Sequence, residues 1–173
     1  MGYRSDVALI IHFASVNEPE KAHAQYIRFQ HWVKHDLVVE VEDHSTPHTG
    51  VLKPFRYQDY VDLWLGSNST MSDQERMGWA PQDHQFIFNL YDVKWYPSYP
   101  ETKIIEAMMQ KAQEFSTCAY RYVCIGEETD DLTVSNHEGP EYSDENHVSW
   151  QLEVQRTFSF HGIPETLTKE ISV

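Results

Sequence analysis

Residues 85–95 read QFIFNLYDVKW. Phe86, Ile87, Phe88, Leu90, Tyr91 and Val93 make this an aromatic and β-branched run, the composition of a strand inside a sheet. The residues just C-terminal to it are equally informative. Trp95 to Pro100 is a WYPSYP turn. Ser98 and Glu101 have capping-box spacing, so a helix is expected to open there. Ile104, Ile105, Met108, Met109, Ala112 and Phe115 give residues 100–116 a broad apolar face at helical spacing. Ala119 to Ile125 (AYRYVCI) then reads as the next strand.

The N-terminal side repeats this logic. Val7 to Phe13 (VALIIHF) is a nearly continuous apolar run, as in a central strand. Asn17 with Glu20 has capping-box spacing, Pro19 suits a first turn, and Ala22, Tyr26, Phe29 and Val33 form one apolar stripe. A helix is expected over residues 18–34. Leu37 to Val41 reads as a short strand and Asp43 to Gly50 as turn chemistry. Tyr57 to Leu65 has the makings of a helical turn or two, and Ser72 with Glu75 is another capping pair. Near the C-terminus, Val148 to Phe160 alternates apolar and polar residues, with Arg156 as the exception, like a strand with one wet face. The expected fold is one α+β domain over 1–173, with an insertion at 37–83. Its order, β-α-(insertion)-β-α-β-β, suggests a two-layer sandwich resembling a ferredoxin-like arrangement, both helices on one face of the sheet.

Bulk composition bounds the function. The chain has 173 residues, 40% hydrophobic and 13% aromatic, enough for a real core. The formal net charge is -14, with a pI near 5.0. Between Tyr122 and Gln155 there are nine carboxylates (Glu127, Glu128, Asp130, Asp131, Glu138, Glu141, Asp144, Glu145, Glu153) and no Lys or Arg. This stretch is expected to be an acidic loop, repelling nucleic acid and attracting basic partners or cations. Cys118 and Cys124 flank an extended run of about 20 Å, too long for a disulfide, and are expected as free thiols in a reducing cytoplasm. No stretch reaches the roughly 18 apolar residues of a membrane span, and the N-terminus reads as a strand rather than a signal peptide. Asp6 stands where myristoylation requires Ser or Thr.

Two motifs carry candidate binding chemistry. Trp95, Tyr96 and Tyr99 in the proline-stiffened WYPSYP turn suit an aromatic platform, although such a turn also serves simply to pack the end of a sheet. In IGEETDD, Glu127, Glu128, Asp130 and Asp131 follow a strand at Gly126. Their spacing does not match an EF-hand loop, so a solvated acidic turn that meets a basic surface is the expectation. His31 and His35 lie four apart on the first predicted helix, and His44 and His48 four apart across a turn. Together with Glu40, Glu42 or Asp43 they have the donor types for a metal, but Trp32 stands where a zincin needs Glu. GxSxG, P-loop and GxGxxG motifs are absent. Tyr120 and Tyr122 invite comparison with RNA-recognition sheets, yet Arg121 is the sole base beside them.

Four segments, GYRSDV (Gly2 to Val7), YDVKWYPSYPE (Tyr91 to Glu101), IGEETDD (Ile125 to Asp131) and VQRTFSF (Val154 to Phe160), occur in an order that resembles small, largely uncharacterised proteins of tailed phages and prophages. The resemblance spans the first strand and the C-terminal half, leaves out 35–84, and implies an accessory role in a bacterial cytoplasm. The expected function is therefore a non-enzymatic acidic interaction protein. It would bind a host or phage protein with a basic surface, and so inhibit a host macromolecule, without cofactor, membrane or direct nucleic-acid contact. The alternative is a small metal- or ligand-binding enzyme using His and carboxylate residues.

Overall fold

The computed structural model describes residues 4–42, 50–59, 76–126, 131–144, 154–160 and 163–171. In chain order the elements are β1 (Ser5–Phe13), α1 (Pro19–His35), β2 (Val38–Glu42), β3 (Leu52–Arg56), β4 (Arg76–Ala80), β5 (Gln85–Val93), α2 (Pro100–Ala112), β6 (Cys118–Ile125), β7 (Leu132–Glu138), β8 (Val154–Phe160) and β9 (Ile163–Ile171). The main sheet has five strands in the order β4-β5-β1-β6-β7, and every neighbouring pair is antiparallel.

β1 is the middle strand. Leu9 sits opposite Phe88 on one side and Tyr122 on the other, and Ile11 opposite Phe86 and Tyr120. These residues share one apolar cluster with Tyr26, Phe29 and Val33 of α1 and with Ile104, Ile105 and Met108 of α2. Both helices thus cover the same face, as expected. Phe13, Phe29 and Phe115 meet there with ring centroids 5.4 to 5.9 Å apart, separations at which tilted and edge-on aromatic pairs are favourable. The opposite face is thinner. It buries Ala8 with Val123 and Ile125, and Ile10 with Ala119, Ile87 and Tyr142. Burial on both faces explains why β1 is a continuous apolar run rather than an alternating one.

Three expectations are corrected. The stretch expected to be a loop of carboxylates contains β7, which pairs with β6 in register from Ala119↔Glu138 to Ile125↔Leu132. The Gly126 N–H donates to the Asp131 carbonyl at 2.8 Å and closes the turn between the two strands. The neighbour in sequence therefore takes the edge beside β6. Val148 to Phe160, expected to be a strand of the main sheet, has its described part paired elsewhere. Residues 154–160 form β8, which pairs with β9 in a separate hairpin, and 148–153 lie outside the described residues. The capping boxes expected for the two helices do not form either, and Ser72 with Glu75 lies outside the described residues. α1 has Glu18 at its N-cap and α2 has Tyr99, neither with a side-chain cap, and a proline opens each helix. Proline needs no partner for a missing N–H and pre-sets the helical angle, so the first turn forms without the box.

Within 37–83, β2 and β3 make their own two-stranded ladder, while β4 joins the main sheet beside β5. The β2–β3 hairpin lies against α2, where Lys103 Nζ donates to the Glu40 carbonyl at 2.8 Å. Residues 57–59 are helical, and 60–75 lie outside the described residues. Cys118 and Cys124 are both free thiols. Among the described residues no helix is long and apolar enough to cross a membrane.

Candidate functional site

A cleft of about 400 Å³ opens where β1 begins, between the sheet, α2 and the β6–β7 turn. Trp95 and Pro97 of the WYPSYP turn form one wall and Asp131 of IGEETDD another. The antiparallel order causes this meeting. β5 and β6 both run opposite to β1, so the segments leaving them emerge together at the end where β1 starts.

Trp95 is 8% exposed and packs on Phe88 with ring centroids 5.6 Å apart. Its indole N–H donates to Tyr122 Oη at 3.0 Å. Burial, and then the neighbouring Cys124, raises the Tyr122 pKa well above that of a free phenol, so the hydroxyl keeps its proton. Burial raises the Cys124 thiol as well, which leaves it a poor nucleophile. Ser5 and Thr102 also line the cleft. Their hydroxyl oxygens are buried and make no hydrogen bond of ordinary geometry, although the Cys124 thiol interacts with Ser5. Glu106 and Asp131 are exposed carboxylates of the lining. Among the described lining residues there is no Lys or Arg.

Trp95 and Asp131 are thus brought together. Tyr96 and Tyr99 are half-buried and meet edge-to-face at 5.1 Å, with the Tyr99 N–H donating to the Tyr96 carbonyl at 2.9 Å. Glu127, Glu128 and Asp130 lie outside the described residues. The motif reading missed Ser5, Thr102 and Glu106. Thr102, Glu106 and Met109 follow one another at spacings of four and three, which marks a stripe at the margin of the apolar face of α2.

Two groups of histidines stand out among the described residues. His31 and His35 have ring centroids 4.5 Å apart on α1, and His31 Nδ1 lies 3.9 Å from an Asp36 oxygen. Among the described residues no group of three or more His, Cys, Asp and Glu is arranged to hold a metal. Asp43, His44 and His48 lie outside the described residues, and Glu40 and Glu42 stand on β2. The other group was not anticipated. It surrounds a second cleft, of about 620 Å³, at the exit end of β1.

There His12 is buried, with Nδ1 3.0 Å from Tyr142 Oη, and its ring also hydrogen-bonds the backbone of Asp83. Burial lowers the His12 pKa against the opposing pull of Asp144 and Asp83. His84 ends the β4–β5 turn at φ 50, a left-handed conformation that His adopts more readily than most residues. Its Nε2 lies 2.9 Å from His23 Nδ1 on α1. Burial, then His23, lowers the His84 pKa.

Tyr120 and Tyr122 are buried on the helix-covered face, whereas RNA-recognition sheets stack bases on their open face. Comparison with family models, with curated proteins and with solved structures gives no match.

Proposed function

We propose that this chain is a non-enzymatic interaction protein that binds a basic segment of a host or phage protein at the cleft where β1 begins. One observation carries the proposal: Trp95 and Pro97 of the aromatic turn and Asp131 of IGEETDD, far apart in sequence, line the same cleft. A Lys or Arg side chain entering it would meet Glu106 and Asp131 at their exposed carboxylates. Charge-assisted hydrogen bonds of this kind are the strong ones. The nine carboxylates between Tyr122 and Gln155 add a field that draws a basic partner in before contact.

The segments that resemble tailed-phage and prophage proteins support a bacterial cytoplasmic setting and a role in blocking a host macromolecule. The order β1-α1-β4-β5-α2-β6, with sheet order β4-β5-β1-β6, supports reading the scaffold as ferredoxin-like, extended at its edge by β7. No cofactor, membrane or direct nucleic-acid contact enters this function.

Immobilised protein and its Glu127→Gln/Glu128→Gln/Asp130→Asn/Asp131→Asn variant, exposed to the same bacterial lysate, test the idea. A basic protein retained by the first and largely lost by the second is the expected outcome. Identical retention by both would remove the acidic turn from the function. A variant that melts would show that the carboxylates hold structure together, and would favour a bound cation instead.

A further inference from the structure

The cleft where β1 begins is bordered by an edge of the sheet. β7 contributes Thr133 and Ser135 to its lining, next to Asp131. β7 pairs with β6 alone, so its outer side is open. The phase of the ladder fixes which groups stand there. The Gly126 N–H donates to the Asp131 carbonyl at 2.8 Å, and the Gly139 N–H to the Cys118 carbonyl at 2.8 Å. Bonded and non-bonded pairs alternate along an antiparallel ladder. The odd-numbered residues of β7 therefore turn their backbone groups toward β6. Leu132, Val134, Asn136 and Glu138 turn theirs outward, and all four residues are exposed. Among the described residues these outward groups have no backbone partner.

Natural sheets blunt such edges with lysine, proline, bulges or a covering element. β7 (LTVSNHE) has neither lysine nor proline, and its register is unbroken from Leu132 to Glu138. Leu132 and Val134 are 41% and 42% exposed. An edge of this kind is a template for another strand.

Charge chooses the strand. The cleft side of β7 meets the exposed carboxylates of Asp131 and Glu106, and neither is in a salt bridge with another described residue. On the other face, Leu132 sits opposite Ile125 and Val134 opposite Val123, an apolar strip. A strand laid along β7 shows alternate side chains to these two faces. The matching segment therefore alternates Lys or Arg with aliphatic residues. A second copy of this chain, with a net charge of -14, has the wrong sign. At the other edge of the sheet, Lys34 Nζ lies 5.8 Å from the Trp79 ring of β4, which disfavours a basic strand there.

We propose that the basic segment binds by strand addition to β7. Its aliphatic residues bond to the backbone of Leu132, Val134 and Asn136, and its basic residues pass over Thr133 and Ser135 toward Asp131 and Glu106. This rests on the reading of the cleft as a site for a basic segment, and gives that segment an extended conformation and a sequence pattern.

Titration of the intact protein with a peptide of alternating lysine and valine, KVKVKVKV, followed by amide NMR, tests the proposal. Saturable one-to-one binding is expected, with shifts at the Trp95 indole and the Asp131 amide. Exchange of the Leu132, Val134 and Asn136 amide hydrogens with water is expected to slow, because these N–H groups become bonded. N-methylation of the valines removes the N–H groups that face β7 and is expected to weaken binding at least about tenfold. N-methylation of the lysines, whose N–H groups face away, is expected to leave it within about twofold. Val134→Pro removes an outward N–H that β6 does not use, at an edge position where proline is tolerated, and is expected to weaken binding about tenfold. Equal binding of both N-methylated peptides at Trp95 and Asp131 would overturn strand addition and leave the basic-segment reading standing. Absence of any peptide shift at Trp95 and Asp131 would overturn both. Protection of the Leu132 and Val134 amides that grows with protein concentration, without peptide, would assign the edge to a second copy and overturn the proposal.

Discussion

Gly139 is buried immediately after β7, where its N–H donates to the Cys118 carbonyl at 2.8 Å. A methyl group at this position would run into the backbone carbonyls of Ser116 and Phe115, which have no flexible end to move aside. Gly139→Ala is therefore expected to destabilise the protein by about 1–3 kcal/mol, the usual cost of overpacking. Urea unfolding would show this as a lower midpoint at unchanged slope, and an unchanged midpoint would mean that the Ser116 turn yields easily. At this scale the core was largely legible. The stripe Ala22, Tyr26, Phe29 and Val33 is the buried set of α1, because helical spacing maps directly onto one face. Polar roles were less visible. The bond from the Glu18 N–H to Ser15 Oγ, at 3.2 Å, takes the place of the expected Asn17 cap, since the choice among nearby hydroxyl and amide side chains depends on the path of the loop.

At the scale of elements, β1, β5, β6 and both helices announced themselves through apolar periodicity. β7 (LTVSNHE) and β4 (RMGWA) did not, because edge strands bury little and carry few apolar residues. β7 was further masked by the carboxylates on either side of it. The histidines of the second cleft tie elements together, and this gives a pH dependence with a definite sign. His12 and His84 have pKa values below the ordinary value of 6.5 in the folded chain, chiefly from burial. The unfolded chain then takes up these protons first as pH falls. Their contribution is complete above about pH 6.5 and is lost progressively below it. Thermal midpoints are expected to fall between pH 7 and pH 5, and the fall is expected to shrink in His12→Gln. A midpoint that rises over this range, or a fall of equal size in the variant, would show that His12 does not carry the linkage.

At the scale of the whole molecule, the sheet order sets where chemistry can occur. β1 is central, and its two ends open onto two clefts. One is lined by Trp95 and Asp131 and the other by His12 and Asp144. The residues Trp95 and Asp131 were legible in the sequence as separate motifs. Their shared cleft was not, because it arises from antiparallel pairing on both sides of β1 and from a helix laid across one end. The second cleft was still less visible, since His12, Asp83, His84 and Asp144 come from three separate regions of the chain with no common motif. The net charge of -14 attracts positive charge at long range, and in the proposed function a basic partner docks at the first cleft. The most direct measurement is an amide and indole NMR titration with a six-residue arginine peptide. The indole N–H of Trp95, held by Tyr122, and the amide of Asp131 should shift together and saturate. Both shifts should vanish in about 0.5 M salt, where exposed charges are screened within a few ångströms. If the peptide produces saturable shifts elsewhere and leaves Trp95 and Asp131 unmoved, the first cleft is not the binding site.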